Sequence, residues 1–319
     1  MVWDKIFTSI YLISLFFFHV QCGSKQSDPN GLQGEISISG AFALYPMVIK
    51  WSEEYQKLNP GVKFDIQAGG AGKGMTDALT KTVHLGMLSR DLMPEEIKRG
   101  AFPIAVAKDA VIATMSAFNP FVEKLCAKGI SPEEARDIWI TGKIKNWKSL
   151  ADTGNLSLRV YTRSDAAGAP ETWAKYLGAK QENLLGIGVF SDPSLAEAVI
   201  NDKTAIGFNN ISFVYNITTR KTYPGILPLP LDLNGNGILE EEESFYSSLD
   251  DLNEAIAAAR FPSPPARPLY LVSQGKPTDE AVIKFITYIL TDGQQFLRET
   301  GYVELDQEML QNEMRKIND

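Results

Sequence analysis

Residues 163–173, RSDAAGAPETW, decide the interpretation of the fold. They follow LRVYT (158–162), a β-branched and aromatic run typical of a strand, and lead through small residues into a helix that we expect to open at Pro170. A strand, a tight turn and a helix N-terminus make an anion-binding turn, because the unpaired N–H groups of the first helical turn point at the ligand. Where such a turn carries hydroxyls and an arginine, this one has Ala167, Ala169 and Pro170. The stretch predicts the backbone of an anion receptor without its side chains.

Strand and helix patterns alternate on both sides of this stretch. GEISISG (34–40) alternates with period two, and PMVIKWSEEYQKLNPG (46–61) follows as an amphipathic helix. The apolar run PIAVAKDAVIATMS (103–116) reads as two strand segments that leave the first domain, and the proline-rich FPSPPARP (261–268) reads as a stiff crossing back. This alternation predicts an α/β fold with parallel strands. We expect lobe 1 at 34–115 plus 266–319, lobe 2 at 116–265, and a ligand cleft between them.

The N-terminus is typical of an export signal. Lys5 precedes the apolar run IFTSIYLISLFFFHV, which is short for a membrane span, and Cys22 follows directly. We interpret 1–21 as a signal peptide, Cys22 as a lipidated cysteine and 22–33 as a polar tether. An uncleaved anchor or a different cleavage site are the alternatives. The expected location is the periplasm or the cell surface, as a membrane-anchored lipoprotein.

Composition excludes several classes of protein. The 319-residue chain has a formal net charge of −8 and no basic stripe, so we expect no nucleic-acid partner. After residue 21 only His84 and, besides Cys22, only Cys126 remain for histidine- or cysteine-dependent chemistry, and each is expected to be structural. Asp165 and Glu171 are a weak acid–base pair, because carboxylates are expected at a helix N-terminus for electrostatic reasons alone. We therefore expect no enzyme activity.

Six segments, in order, resemble the phosphate-binding protein of bacterial phosphate ABC transporters. This resemblance implies a two-lobe type-II periplasmic-binding fold with two hinge crossings, a small-molecule ligand (phosphate or another anion), a monomer, and an ABC transporter permease as partner. The segments are ISISGAFALYPMVIKWSEEY (36–55), IQAGGAGKGMTDALTKTVHLGMLSRDL (66–92), ITGKIKNWKSL (140–150), VYTRSDAAGAPETWAKYL (160–177), AIGFNNISFVY (205–215) and 267–305.

The resemblance also places the ligand site, and there the chain departs from the family. Family loops of the type G-S-T-T, G-G-S-G-T-G and G-S-G-T-R-E-T keep their glycines here but carry alanine at most ligand positions. Losing about five hydroxyls and an arginine removes about 8–15 kcal/mol of binding, whereas micromolar affinity is worth about 8 kcal/mol. The expected ligand positions are Ala41, Phe42, Ala43, Ala71, Gly72, Lys73, Ser89, Arg90, Arg163, Ala167, Gly168 and Ala169.

Three interpretations of this cleft stay open. A small-residue, apolar cleft edged by Lys73, Arg90 and Arg163 would take a different ligand, such as an organic anion with an apolar body. Other substitutions would rebuild an oxyanion site. A protein that reuses the fold without a small-molecule ligand would act through its surface. Arg90 and Arg163 each have a structural alternative, an ion pair with Asp91 or Asp165.

Residues 232–243, DLNGNGILEEEE, fit the twelve-residue EF-hand loop D-x-N-x-N-G-x-L-x-x-x-E. The extended-looking YPGILPLP before it argues against a full helix–loop–helix, so we expect calcium as a possible structural cofactor. The alternative is an acidic surface turn. The expected oxygen ligands are Asp232, Asn234, Asn236, the Ile238 carbonyl, Glu240 and Glu243, with Gly237 at the sharp turn.

Overall fold

A mixed β-sheet runs through the computed structural model, which describes residues 31–152 and 154–318. The strand order is β2-β1-β3-β9-β4-β7-β5-β6, and β8 pairs with β4. The strands are β1 (Gly34–Gly40), β2 (Val62–Ala68), β3 (Leu85–Leu88), β4 (Ala101–Ser116), β5 (Arg159–Arg163), β6 (Ile187–Val189), β7 (Ala205–Asn210), β8 (Ile226–Pro228) and β9 (Ala266–Gln274).

The helices lie between these strands in the predicted alternating pattern. They are α1 (Tyr45–Leu58), α2 (Ala71–Leu79), α3 (Pro94–Lys98), α4 (Val122–Lys128), α5 (Pro132–Trp139), α6 (Lys148–Ala151), α7 (Gly168–Tyr176), α8 (Asp192–Asn201), α9 (Leu249–Ala257), α10 (Glu280–Leu290), α11 (Leu297–Thr300) and α12 (Gln307–Asn318). Short 3-10 turns cover Gln181–Asn183, Ile211–Phe213, Glu241–Glu243 and Asp292–Phe296.

The long strand β4 joins the two halves of the sheet. The predicted parallel pairing occurs within each half, between β1 and both β2 and β3, and between β5 and both β6 and β7. The sheet is mixed because β4 runs antiparallel to β9 along residues 101–110 and to β7 along residues 111–115. The expectation of two separate segments in 103–116 was wrong: one strand, irregular between Ala105 and Ala107, serves both halves.

Two hydrophobic cores lie on either side of this crossing. The first contains Trp51 and Phe285, and the second contains Trp139, Trp173 and Phe208, all of which are fully buried. Trp139 and Trp173 pack edge to face with ring centroids 5.2 Å apart. Such large buried aromatic groups each contribute a large apolar area to the core of their half.

The chain passes from one core to the other twice. Along β4, Ala107 belongs to the first core and Ala110 to the second. At the start of β9, Ala266 belongs to the second core and Leu269 to the first. The two expected hinge crossings therefore lie side by side in paired strands, since Ala110 pairs with Ala266. The exact domain boundaries at 115/116 and 265/266 remain predictions.

Local sequence signals explain several helix starts. Ser131 and Glu134 form the predicted capping box: Glu134 N donates to Ser131 Oγ (3.2 Å) and Ser131 N donates to Glu134 Oε2 (3.0 Å). Helix α7 begins at Gly168, and Pro170 lies in its first turn, where a missing N–H costs no hydrogen bond.

The predicted signal peptide 1–21, Cys22 and most of the tether 22–33 lie outside the described residues. Within residues 31–152 and 154–318, no helix combines the length and apolar character needed to cross a membrane.

Candidate functional site

The glycine-rich loops of the first half pack backbone against backbone. Gly69 N and Gly70 N both donate to Gly40 O, at 2.8 and 2.9 Å. A methyl group added to Gly40 would lie 2.8 Å from the Gly74 Cα, so this approach requires glycine. Strand β1 therefore ends directly beneath the first turn of α2.

The loops of the second half meet these loops directly. A methyl group on Gly168 would lie 2.1 Å from Ser89 Oγ and 2.3 Å from Ser89 O. A methyl group on Gly72 would lie 3.2 Å from Ala166 O. These contacts join the β3 end to the start of α7, and the start of α2 to the turn after β5. The structure thus gathers the four segments named from the sequence, 40–43, 69–74, 89–90 and 163–169, at one junction between the two halves.

The alanine side chains at this junction point into packed surroundings. Ala41, Ala43, Ala71 and Ala169 are each 1% exposed, and Ala167 is 5% exposed. Helices α2 and α7 still present the N–H groups of their first turns, which a helix leaves without internal partners. The junction therefore combines two helix N-termini with buried alanine methyl groups at positions where the sequence resemblance places hydroxyls.

Arg163 lies at the centre of the junction with its side chain fully buried. Its Nε donates to Asp165 Oδ1 at 2.8 Å, and its Nη2 donates to Asp165 Oδ2. Its Nη1 lies 2.7 Å from Asp192 Oδ1 as an ion pair without hydrogen-bond geometry. The Phe42 ring lies over the guanidinium, 5.9 Å from ring centroid to Cζ. The structural alternative, an Arg163–Asp165 pair, is therefore present, and Asp192 adds a second carboxylate.

Arg90 is also held by carboxylates. It donates to both oxygens of Glu96, at 2.9 and 2.6 Å, and its Nε lies 3.0 Å from Glu171 Oε2 in the other half. The Asp91 carboxylate, suggested by the sequence as a partner, pairs with Lys175 across the junction instead. Two ion pairs, Arg90–Glu171 and Asp91–Lys175, therefore connect the two halves.

Lys73 turns away from the junction. Its Nζ donates to Asp77 Oδ2 one helical turn further on, and Ser39 Oγ donates to the same oxygen at 2.6 Å. The Lys73 side chain is 41% exposed. Lys73, which was predicted at the edge of the cleft, therefore forms an ion pair within α2 instead.

Arg267 forms a further buried network at the hinge, which sequence reasoning missed. Its Nε donates to Asp109 Oδ1 at 2.8 Å, its Nη1 donates to Thr172 Oγ1 at 3.0 Å, and its Nη2 donates to Asn210 Oδ1. Asp109 on β4 and Arg267 on β9 are 1% and 5% exposed. An available signal was Asp109 itself, a carboxylate inside the apolar run of 103–116, since a charge there must be paired.

Carboxylates outnumber arginines at this junction. Arg90, Arg163 and Arg267 contact five of them: Glu96, Glu171, Asp165, Asp192 and Asp109. Burial raises the pKa of Asp192 although Arg163 opposes the shift, and burial likewise raises the pKa of Asp109 against Arg267. The arginines expected at the edge of the cleft are therefore held in ion pairs, the alternative left open by the sequence. Asp165 and Glu96 lie close to their arginines in the sequence, whereas Asp192, Glu171 and Asp109 come from distant segments.

The calcium-type loop is a separate feature in the second half. Asp232 is 1% exposed and accepts from the N–H groups of Gly235 (2.8 Å), Asn236 (3.2 Å) and Gly237 (2.8 Å). Glu243 is 5% exposed, and its Oε1 accepts from Leu233 N at 2.7 Å. The first and last expected ligands therefore both face into the loop.

The side chains of the other expected ligands form hydrogen bonds with one another. Glu240 accepts from the side-chain amides of Asn234 (2.8 Å) and Asn236 (3.1 Å). The residue before the loop, Leu231, is bridged to Ile130, so the loop follows an extended segment rather than a helix, as predicted. In the described part of the chain, no three His, Cys, Asp or Glu side chains are gathered as a metal group.

Comparison with known proteins identifies the family. A model of the PBP superfamily domain matches residues 25–293. The chain belongs to this superfamily. Among curated relatives, Phosphate-binding protein PstS of Bacillus subtilis is 29% identical over 66% of this chain and 72% of that protein. Phosphate-binding protein PstS of Pseudomonas aeruginosa is 24% identical over 90% of this chain and 88% of that protein.

Solved structures agree with this assignment. A phosphate ABC transporter substrate-binding protein from Clostridium perfringens, solved with bound phosphate, superposes with a TM-score of 0.70 at 24% identity, covering 86% of this chain and all of that chain. An ABC-type phosphate transport receptor from Vibrio cholerae gives a TM-score of 0.63 at 18% identity, covering 85% of this chain and 100% of that chain. The predicted family resemblance and the two-lobe type-II periplasmic-binding fold are confirmed. Membership supports a solute-binding role and not an enzymatic one.

Proposed function

We propose that this chain is a lipid-anchored extracytoplasmic solute-binding protein that delivers a small molecule other than free phosphate to the permease of an ABC transporter. The relatives' names support the class of protein and the transporter partner. The apolar run followed by Cys22 supports export and lipidation. One observation carries the altered specificity: the guanidinium of Arg163, at the centre of the junction, is held by Asp165 and Asp192.

Phosphate recognition needs donors that are free to turn to the anion. Hydrogen bonds to a charged group contribute about 1.5–3 kcal/mol each, and an arginine adds most when one of its edges binds bidentately. Here alanines replace hydroxyls at 41, 43, 71, 167 and 169. The three arginines donate to the chain's own carboxylates. The backbone N–H groups of α2 and α7 remain, and these alone support a weaker, differently shaped ligand.

Calorimetric titration tests the altered specificity. The purified protein is unfolded and refolded to remove any bound solute, and then titrated with phosphate, sulfate and a panel of small organic acids, with the Bacillus subtilis relative as the positive control. We expect no heat with phosphate up to millimolar concentration and binding of one organic ligand. Sub-micromolar phosphate binding would overturn the proposal, because the backbone amides with Ser89 and Arg90 would then suffice.

A second function, a surface interaction protein without a small-molecule ligand, is favoured by the direct contact of the two halves. Arg90–Glu171 and Lys175–Asp91 already link them, and Gly168 lies against Ser89. Small-angle scattering separates the two functions. A solute receptor changes its radius of gyration when its ligand is added, whereas an interaction protein keeps one value across the whole panel.

The lipid anchor is tested through Cys22. We expect the wild-type protein, produced in a bacterial host, to incorporate radiolabelled palmitate and to sediment with membranes. The variant Cys22→Ser should lose both the label and the sedimentation, whereas Cys126→Ser serves as a matched control that should keep both. A labelled Cys22→Ser variant would refute lipidation at this residue.

We further propose that residues 232–243 bind calcium. Asp232 and Glu243 already face into the loop, and Asn234, Asn236, Glu240 and the Ile238 carbonyl supply the oxygens that calcium prefers. Binding requires these oxygens to turn from the N–H groups they now accept, so we expect a weak affinity in the millimolar class. Titration with CaCl2 should give heat for the wild type and for Glu241→Gln, and none for Glu243→Gln. Equal heats for Glu241→Gln and Glu243→Gln would contradict the proposal.

A further inference from the structure

Asp192 is the first residue of α8 and one of the most deeply buried carboxylates of the protein. It is 3% exposed, and its helix is capped by Ser191, whose Oγ accepts from Ser194 N. Ser191 N also donates to Asp165 Oδ1 at 3.3 Å. The start of α8 is thus fixed against the turn that follows β5, and this fixes the Asp192 carboxylate beside Arg163.

The two carboxylates on Arg163 take different sides of its guanidinium. Asp165 accepts from Nε and Nη2 and so occupies one complete edge. Asp192 Oδ1 lies 2.7 Å from Nη1 as an ion pair without hydrogen-bond geometry. A tetrahedral oxyanion that binds an arginine bidentately needs one complete edge. With Asp165 alone, the edge that contains Nη1 would be open to an anion, and the Asp192 carboxylate takes the space beside it.

Charge acts in the same direction as geometry. One arginine faces two carboxylates here, so this part of the junction is negative when both are ionised. The neighbouring Arg267 is already balanced by Asp109. A doubly charged anion would therefore enter beside a net negative charge, without the counter-charge that a buried ion requires.

We propose that Asp192 is the specificity-determining residue that excludes doubly charged oxyanions from this cleft. This inference rests on the proposed function, because it supposes a solute site at the junction. It assigns the ligand a class: the group that faces Arg163 is neutral, zwitterionic or at most singly charged. Asp192 acts by taking the space beside Nη1 of Arg163 and by adding one negative charge there.

The test measures phosphate and sulfate binding at pH 8, where both are mainly dianions, on refolded wild type and three variants. Asp192→Ala opens the edge and removes the charge, whereas Asp192→Asn removes only the charge. Asp202→Asn is the matched control, because Asp202 ends the same helix and pairs with Arg159 away from the junction. One unit charge at about 6 Å, with an effective dielectric constant of about 20, changes the affinity by roughly 100-fold for each unit of ligand charge, so a dianion is disfavoured far more than a singly charged ligand.

We expect Asp192→Ala to bind phosphate at least about 10-fold more tightly than wild type. The phosphate affinity of Asp192→Asn should lie between those of wild type and Asp192→Ala, and the affinity of Asp202→Asn should equal that of wild type. Circular dichroism and urea unfolding verify that each variant is folded. If folded Asp192→Ala and Asp192→Asn both bind no more tightly than wild type, the role of Asp192 is wrong, while the altered specificity stands. If wild type itself binds phosphate below micromolar concentration, the proposed function fails first.

Discussion

The interlobe junction and the loop at 232–243 are opposite kinds of candidate site. At the junction, tight glycine contacts at 40, 74 and 168 shape the turns, while alanines stand at positions where the sequence resemblance places ligand side chains. In the loop every expected ligand side chain is present, while the flanking helix pair is missing. A site whose ligands are side chains can be recognised from spacing alone. A site whose ligands are backbone groups and distant charges needs the fold.

The two regions also differ in how their charges are balanced. Arginines at the junction are held by carboxylates from β4, α3, α7 and α8 and from the turn after β5, so removing one charge leaves another buried and unpaired. In the loop, the buried Asp232 and Glu243 accept from nearby backbone N–H groups, and Glu240 is exposed and accepts from side-chain amides, so none of the three depends on an arginine. We therefore expect substitutions at the junction to cost far more stability than substitutions in the loop.

The largest expected effect is at the hinge. Arg267→Ala leaves Asp109 buried without its counter-charge, and we expect a loss of about 3–5 kcal/mol in the free energy of unfolding, measured with urea. The paired change Asp109→Asn with Arg267→Met should recover much of this loss, because it removes both charges. A loss of under about 1 kcal/mol for Arg267→Ala would mean that the network does not stabilise the fold.

The second prediction concerns the contact between the two halves. Alanine normally favours a helix over glycine by about 1 kcal/mol, yet Gly168→Ala places a methyl group against the backbone of Ser89. We expect a net loss of about 1–3 kcal/mol in unfolding free energy and a larger radius of gyration. Gly72→Ala is the matched control, since its methyl group meets Ala166 O at 3.2 Å and should cost less. A stabilised Gly168→Ala with an unchanged radius would contradict the contact.

The third prediction turns to the loop. If calcium binds with a dissociation constant of about 1 mM, 10 mM CaCl2 should raise the free energy of unfolding by about 1.4 kcal/mol. The rise should be absent in Glu243→Gln and retained in Glu241→Gln, which is exposed and outside the ligand positions. An equal rise in both variants, or an equal rise with MgCl2, would show that the effect does not arise from this site.

Sequence reasoning predicted the alternation of elements, the family, the hinge crossings and the convergence of the four loops. The alternation and the crossings followed from local signals, namely glycine turns, helix starts and apolar periodicity, whereas the family and the meeting of the loops followed from the resemblance of six segments. Most of the charge network of the junction was missed. Asp109 and Arg267 lie 158 residues apart and meet only through the pairing of β4 with β9, and Asp192 reaches Arg163 from the start of α8. Nothing near Asp192 distinguishes it from an ordinary helix-start carboxylate until Arg163 lies beside it.

The smallest expected effect uses the two glutamates that share Arg90. Burial raises the pKa of Glu171, only partly offset by Arg90, whereas for Glu96 the hydrogen bonds from Arg90 and Met93 N outweigh burial and lower the pKa. A raised folded-state pKa stabilises the fold at low pH and loses that contribution as pH rises through it. A carboxyl whose folded-state pKa is lowered stabilises the fold at pH values above its unfolded-state pKa. This contribution is lost as the pH falls through the folded-state pKa.

The two variants should therefore respond to pH in opposite directions. Between pH 4 and 6.5, the unfolding free energy of wild type should fall relative to Glu171→Gln and rise relative to Glu96→Gln, by under about 1 kcal/mol each because both groups are partly exposed. Urea unfolding at the two pH values measures both differences. Each variant is the control for the other. If the difference in unfolding free energy between wild type and variant changed with pH in the same direction for both variants, Arg90 would not pair with Glu96 and Glu171 in the way described here.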